Sequence, residues 1–99
     1  MKIKLIIFVT SLNEKGSGEA FIKEFTSEFR PVVGDIIDDP GFHPAFHNGY
    51  EVVKVTVNYA TSECYVSLKP LAIELEDITF DSYVNHLKAN EWKLLSKED

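Results

Sequence analysis

The segment FRPVVGDII, residues 29–37, predicts a turn between two extended segments. Pro31 fixes φ and lacks a backbone N–H, while Gly34 permits the positive φ that other residues avoid. The Asp35 side chain is suited to a hydrogen bond with the nearby backbone, and Ile36-Ile37 begins a new strand. We therefore expect a strand pair before this turn, and further strands with a helix after it.

The size and charge of the chain limit how many domains it can form and which partners it can bind. A chain of 99 residues is the size of one domain, so we expect residues 1–99 to fold as one unit. The formal net charge is -6, from 16 acidic and 10 basic residues, which disfavours binding to nucleic acid or anionic membrane and favours a basic protein surface as partner. The single cysteine, Cys64, excludes an internal disulfide and is typical of a protein of the reducing cytoplasm.

The segment before the turn predicts two strands and a hairpin. Residues 2–10 are apolar on both alternating faces, which favours a central strand covered on both sides. Residues 11–18 are typical of a hairpin loop. Residues 19–29 fit either a strand or an amphipathic helix, because phenylalanines recur at every fourth position; Pro31 disfavours a helix running up to it, so we favour a strand.

A second hairpin follows, formed by residues 50–59 and 63–69. In the first strand the pattern places Val53, Val55 and Val57 on one face and Val52 on the other. In the second strand the inward residues are Cys64, Val66 and Leu68.

The last third of the chain predicts an edge strand and a helix. Pro70 interrupts the sheet, so residues 71–75 are at most an edge strand or an arm, and an unpaired edge here would suit a homodimer. Thr79 or Asp81 is suited to cap a helix, and Asn90 to follow its last turn. The apolar stripe of that helix is Phe80, Tyr83, Val84 and Leu87. Residues 91–95 fit either a last short strand or more helix.

These elements predict an α+β, mainly β fold: a small five-stranded antiparallel barrel or half-barrel with one C-terminal helix. The run Phe-x-Pro-x-x-Gly-Asp-x-Ile at residues 29–37, followed by Tyr-x-Val-x-x-Val at residues 50–55, resembles small uncharacterised bacterial and phage-borne proteins. Those proteins resemble SH3-like barrels. The resemblance covers residues 20 to 69 and implies a fold without implying a catalytic residue.

The long irregular segment after the turn supplies the candidate site. Its aromatic and histidine residues are Phe42, His43, Phe46, His47 and Tyr50. In SH3-like folds, aromatic residues on a long loop between strands bind extended peptides. The alternative is that the phenylalanines fold back as a lid on the core.

Catalytic chemistry has weaker support. The spacing of His43 and His47 would suit a metal site on a helix, but Pro44 between them favours a loop, so we expect no metal and no cofactor. Cys64 falls on the apolar face of a strand and is expected to be a small core residue rather than a nucleophile.

The sequence therefore predicts a non-enzymatic protein-binding or regulatory module that acts through the aromatic loop. One alternative is an immunity- or inhibitor-type protein that blocks a basic surface. Another, from a different class, is a small metal-dependent hydrolase that uses His43 and His47.

Overall fold

The computed structural model describes residues 1–11, 18–42, 49–73 and 79–95. Within these ranges the elements are, in chain order, β1 (Lys2–Ser11), β2 (Gly18–Thr26), β3 (Ile36–Ile37), β4 (Tyr50–Asn58), β5 (Glu63–Leu68), β6 (Leu71–Ile73), α1 (Phe80–Ala89) and β7 (Lys93–Leu94).

The strands form one mixed sheet that curls into a half-barrel. Its main path is β3-β4-β5-β1-β2-β7, and β6 pairs with β1 beside that path. A mainly β fold with one helix is thus confirmed. The prediction of five antiparallel strands is wrong, because the main path holds six strands and β1 is parallel to both β5 and β6.

The parallel pairing was missed because it joins distant parts of the chain. Lys2 lies opposite Glu63, and the connection between the two strands consists of β2, β3 and β4. Parallel neighbours need such a crossover connection, whereas alternation within a hairpin indicates antiparallel pairs only. No local pattern marks the β1–β5 contact.

β1 is the central strand, as predicted. It pairs with β2 along one side and with β5 and β6 along the other. Its inner face is fully buried and consists of Ile3, Leu5, Ile7 and Val9. The prediction that both faces are covered is wrong at Phe8, which is 46% exposed on the opposite face.

Both ambiguous segments contain strands. Residues 18–26 form β2, antiparallel to β1, so the strand interpretation of residues 19–29 is confirmed up to Thr26. β7 supplies a short strand at residues 93–94 and pairs with β2 through Phe21 and Ile22. The connection at residues 12–17 lies outside the described residues.

β4 departs from simple alternation. The ladder with β5 shifts between Val52 and Lys54, so Val53 is an extra residue in β4. As a result Val52 is buried together with the inward side chains of β5, whereas Val53 is exposed. The predicted faces of these two valines are therefore wrong, because the bulge reverses the alternation, and two adjacent valines do not indicate which of them points inward.

Pro70 divides what would be one long strand. β5 pairs with the first half of β1, and β6 continues along its second half, with Leu71 opposite Val9. The break fits a residue that has no N–H to donate to the sheet. Among the described residues β6 pairs only with β1, so residues 71–73 are an edge strand, and the homodimer stays a prediction.

The helix is capped at both ends. Thr79 accepts a hydrogen bond from Ser82 N at 3.0 Å, which confirms the predicted N-cap. At the other end Asn90 is the C-cap, and the left-handed position with φ 73° falls on Glu91, one residue later than predicted. Trp92 N then donates to Leu87 O at 3.1 Å, which closes the helix and turns Trp92 inward.

One cluster of buried residues on the inner face unites sheet, helix and connecting segments. It includes β1, the inward residues of β2, β4, β5 and β6, the helix residues Phe80, Tyr83 and Leu87, and the non-helical residues Phe42 and Trp92. Cys64 is fully buried in this cluster, as expected of a small core residue. In the part of the chain that the structure describes, no helix has the length and apolar character needed to cross a membrane.

Candidate functional site

The turn predicted from residues 29–37 is present and closed by two hydrogen bonds. Asp35 N donates to Val32 O at 3.0 Å, and Val32 N donates to Asp35 Oδ2 at 3.0 Å. Gly34 has φ 100°, a conformation that favours glycine. The backbone and the Asp35 side chain therefore hold the turn in one conformation.

The turn is also tied to the sheet. Gly34 N donates to Val52 O at 2.9 Å, and Val52 N donates to Asp35 O at 2.8 Å. Immediately after it, β3 pairs antiparallel with the start of β4, with Ile36 opposite Glu51. The turn is thus an extension of the sheet, and its side chains have a defined position.

Side chains of the β3–β4 ribbon divide between two faces. Ile37, Tyr50 and Val52 belong to or pack against the core. On the opposite face Ile36 is 60% exposed and Glu51 is exposed. Because cross-strand partners point to the same side, Ile36 and Glu51 lie next to each other on the outer face.

Apolar side chains continue from this outer face into the turn. Val33 is 61% exposed, and a Cβ added at the neighbouring Gly34 would meet no atom within 4 Å. We call the exposed set Val32, Val33, Ile36 and Val53 the turn surface. Phe29, three residues before Val32 in the chain, is 85% exposed. Several exposed apolar residues on a hydrogen-bonded turn are a candidate interaction surface.

Charges of both signs surround the turn surface. Arg30 precedes it, Lys54 follows Val53, and Lys69 N donates to Glu51 O at 2.8 Å; all three lysine and arginine side chains are on exposed residues. Residues 31–53 contain four acidic residues and no lysine or arginine. Three of them, Asp35, Asp38 and Glu51, are exposed. The fourth, Asp39, pairs with Lys23. The turn surface therefore has a rim of mixed charge.

The sequence-predicted aromatic loop is divided by the structure. Phe42 is 5% exposed, and its ring makes an edge-to-face contact with Tyr50, with centroids 4.8 Å apart. It also lies 5.7 Å from the Trp92 ring. His43, Phe46 and His47 lie outside the described residues, so their predicted role stays a prediction. For Phe42 itself, burial fits the alternative of a lid on the core.

Beside Phe42 lies a polar contact that the sequence did not indicate. The Asp39 side chain, 9% exposed, accepts hydrogen bonds from Trp92 Nε1 at 2.9 Å and from Gly41 N at 2.8 Å. Its other oxygen pairs with Lys23 Nζ at 2.9 Å. We call Lys23, Asp39, Gly41 and Trp92 the Asp39 junction.

The Asp39 junction joins three separate parts of the chain: β2, the segment after β3, and the segment between α1 and β7. Position 41 needs glycine for steric reasons, because a Cβ there would lie 2.6 Å from the Trp92 ring. Every polar atom of Asp39 is engaged by a structural partner. The junction therefore stabilises the core side of the molecule.

Tyr50 has a second structural contact on the same side. Its hydroxyl lies 3.1 Å from the Tyr83 hydroxyl on α1. Burial, together with this hydrogen bond, raises the pKa of the Tyr50 phenol above its ordinary value of 10.0. Tyr50 is therefore a neutral link between sheet and helix.

The outer face of the sheet carries an ion cluster around Lys4. Lys4 Nζ lies 3.3 Å from Glu63 and 3.6 Å from Glu24, and 5.0 Å from the centre of the Tyr65 ring. Loss of solvent lowers the pKa of Lys4, but hydrogen bonds to Glu63 and Tyr65 outweigh this and raise it. The hydrogen bond from Lys4 in turn lowers the pKa of Glu63. The cluster links three strands, with two carboxylates around one ammonium group.

A nearby cleft of about 420 Å³ is lined by Ile22, Glu24, Glu91 and Lys93. It combines two carboxylates with one ammonium group. Among the described residues, no group of three or more histidine, cysteine or acidic side chains is placed to hold a metal ion.

The pattern of residues 29–37 predicts a fold determinant and does not predict the turn surface. A signal was available: residues of a tight turn lie at the surface, so valines inside one are exposed. The exposure of Val53 had no such signal, because it depends on the bulge in β4. Comparison of the chain with protein-family models, curated proteins and solved structures finds no match in any of the three.

Proposed function

We propose that this protein is a non-enzymatic protein-binding module, and that it binds its partner through the turn surface. The observation that carries the proposal is the set of exposed apolar side chains held on a hydrogen-bonded turn. Holding these residues rigidly lowers the entropy that is lost on binding.

The proposal moves the binding surface away from the aromatic loop. Phe42 has its ring in the core, where it contacts Tyr50 and Trp92 rather than solvent. Exposing it to a partner would remove it from those contacts. The turn surface needs no rearrangement, since Val33 and Ile36 are exposed already.

A variant of this function is an inhibitor- or immunity-type protein that covers a basic surface. The net charge of -6 supports it. Opposite charge on a partner would speed association and exclude acidic competitors. The proposal includes a cytoplasmic location, supported by a single cysteine that is buried and free.

An SH3-like fold belongs to the same proposal. The mainly β, curled sheet supports it, and the closed turn at residues 31–35 agrees with the resemblance. The parallel β1–β5 pair departs from the antiparallel barrel that the resemblance implies.

The test is a pull-down from an extract of the source organism with three tagged proteins: wild type, Val33→Glu and Tyr59→Glu. Tyr59 is 86% exposed at the far end of β4, so Tyr59→Glu is a matched control for an apolar-to-acidic change. We expect Val33→Glu to lose specific proteins that wild type and Tyr59→Glu retain, at equal thermal stability. Identical sets of bound proteins for all three would contradict the proposal.

A further inference from the structure

We propose that the cleft between β2 and β7 binds a free amino acid with an aliphatic side chain, holding its ammonium group at Glu91 and its carboxylate at Lys93. The cleft is lined by Ile22, Glu24, Glu91 and Lys93, and we call it the β7 cleft. The inference goes beyond the proposed function, because β2 and β7 lie at the opposite end of the main path from β3 and β4, which carry the turn surface.

The β7 cleft opens where β7 leaves β2. Within the described residues, β7 pairs with β2 only at Phe21 and Ile22. The residue before β7, Trp92, turns inward and donates to Asp39, so the two chains separate beyond Ile22. The gap has a volume of about 420 Å³. Sites for small ligands commonly measure about 300–1,000 Å³, so an amino acid fits in this space.

The Asp39 junction holds both walls of the cleft. Lys23 in one wall and Trp92 in the other each place a nitrogen 2.9 Å from an Asp39 oxygen. The four lining residues are the chain neighbours of Lys23 and Trp92. The backbone of the cleft is therefore held by hydrogen bonds on the core side, and a ligand does not have to order it.

The lining presents charges of both signs. Lys4 Nζ lies 3.6 Å from Glu24 and partly neutralises it. Glu91 and Lys93 are exposed, and neither has an ion-pair partner among the described residues. A ligand that carries both an ammonium and a carboxylate complements Glu91 and Lys93 together, whereas an amine or an acid alone leaves one of them without a counter-charge.

Ile22 supplies the apolar part of the cleft. Its side chain is half-buried, and it lies opposite Lys93 in the β2–β7 pair. Because cross-strand partners point to the same side of a sheet, the Ile22 side chain and the aliphatic stem of Lys93 lie side by side. A ligand carboxylate at Lys93 would thus bring the ligand's own side chain over Ile22, which favours an aliphatic one.

Glu91 occupies a position where a side chain is unfavourable. It has φ 73° directly after the C-cap of α1, and Trp92 N closes the helix by donating to Leu87 O. Glycine is the commonest residue at this position of the motif, because a Cβ is strained in the left-handed region. A residue that lowers stability at a cleft supports a role for its side chain in binding.

The experiment is an NMR titration of the ¹⁵N-labelled full chain with L-leucine. Two control compounds keep its aliphatic chain: 3-methylbutylamine lacks the carboxylate, and 4-methylpentanoate lacks the ammonium group. We expect saturable amide shifts at residues 22–24 and 91–94 with leucine. Either control should bind about tenfold more weakly, as expected for loss of one charged hydrogen-bonding group.

Variants separate the charge of Glu91 from its backbone strain. Glu91→Gln keeps the size of the side chain, so it should weaken leucine binding about tenfold at an unchanged unfolding temperature. Glu91→Gly removes the strain as well, so it should weaken binding equally and raise the unfolding temperature. Lys93→Met should also weaken binding about tenfold. The matched control is Glu51→Gln, at an exposed carboxylate on β4, which should leave the affinity unchanged.

Several results would overturn the inference. Equal binding of leucine and 3-methylbutylamine would show a site for cations only, and amide shifts centred on another surface would remove the location. Absence of any leucine-dependent shift would remove the ligand class. Full affinity in Glu91→Gln and Lys93→Met would remove the assigned contacts. All of these outcomes leave the proposed function standing, because Val33→Glu tests it at a different surface.

Discussion

Asp39 and Gly41 of the Asp39 junction follow Ile36 of the turn surface within a few residues in the chain, yet the two regions have opposite characters. At the junction a carboxylate is buried and engaged by three donors, beside the buried ring of Phe42. At the turn surface apolar side chains face solvent, and Phe29 just before it is 85% exposed.

The difference shows that residue type did not decide which side chains are buried. Both phenylalanines lie outside strands and helices, near prolines and glycines. Phe42 is inside because Asp39 accepts hydrogen bonds from both Gly41 N and Trp92 Nε1. These bonds hold Gly41 beside Trp92, and the next residue, Phe42, is buried. Val33 is outside because the hydrogen bonds of the turn use backbone groups and the Asp35 side chain, and none of them needs the Val33 side chain.

The largest expected effect contrasts the two phenylalanines. Phe42→Ala should lower the free energy of unfolding by about 3–5 kcal/mol, because it removes a ring packed on Tyr50 and Trp92. Phe29→Ala should change it by less than about 0.5 kcal/mol. Urea unfolding followed by circular dichroism measures both. Similar losses of unfolding free energy in the two variants would contradict the contrast between a buried Phe42 and an exposed Phe29.

Asp39→Ala should cost about 3 kcal/mol, since it leaves the Lys23 ammonium and the Trp92 N–H without this acceptor in a largely buried place. The control is Asp38→Ala, at an exposed neighbour, with a cost below about 1 kcal/mol. Trp92 is the sole tryptophan, so its fluorescence reports the junction directly. Equal costs would show that the junction does not stabilise the core.

Gly34→Val should cost about 1–2 kcal/mol, through strain at φ 100° rather than through collision, because the space around Gly34 is open. Gly34→Asn should cost less, since asparagine tolerates this region better. Thermal unfolding tests both. An unchanged unfolding temperature for Gly34→Val would refute the strained turn and weaken the claim that the turn surface is rigid.

The smallest effect concerns Tyr50 at alkaline pH. Its pKa is raised in the folded state, so the stabilising contribution is complete below pH 10.0 and is lost as pH rises above that value. Tyr50→Phe should show a shallower loss of stability in the same range, because phenylalanine has no proton to release. Denaturant midpoints measured at several alkaline pH values compare the two proteins. Parallel curves would contradict a buried, hydrogen-bonded Tyr50.

Much of the local structure followed from short-range patterns. Alternation predicted β1, β4 and β5, the spacing of Phe80, Tyr83 and Leu87 predicted the buried stripe of α1, and Thr79 predicted its start. These features depend on residues that are neighbours in sequence. The candidate site was harder to predict from the sequence, because both the aromatic loop and the turn contain apolar residues and the sequence does not show which of them are exposed.

By itself, then, the amino-acid sequence determined a mainly β chain with one late helix and a glycine turn at residues 31–35, since φ preferences and side-chain periodicity act locally. Only the tertiary structure decided that β1 runs parallel to β5, that the β4 bulge turns Val53 outward, and that Asp39 closes the core around Phe42. Each of these depends on a contact between residues far apart in sequence, where no local preference selects the partner.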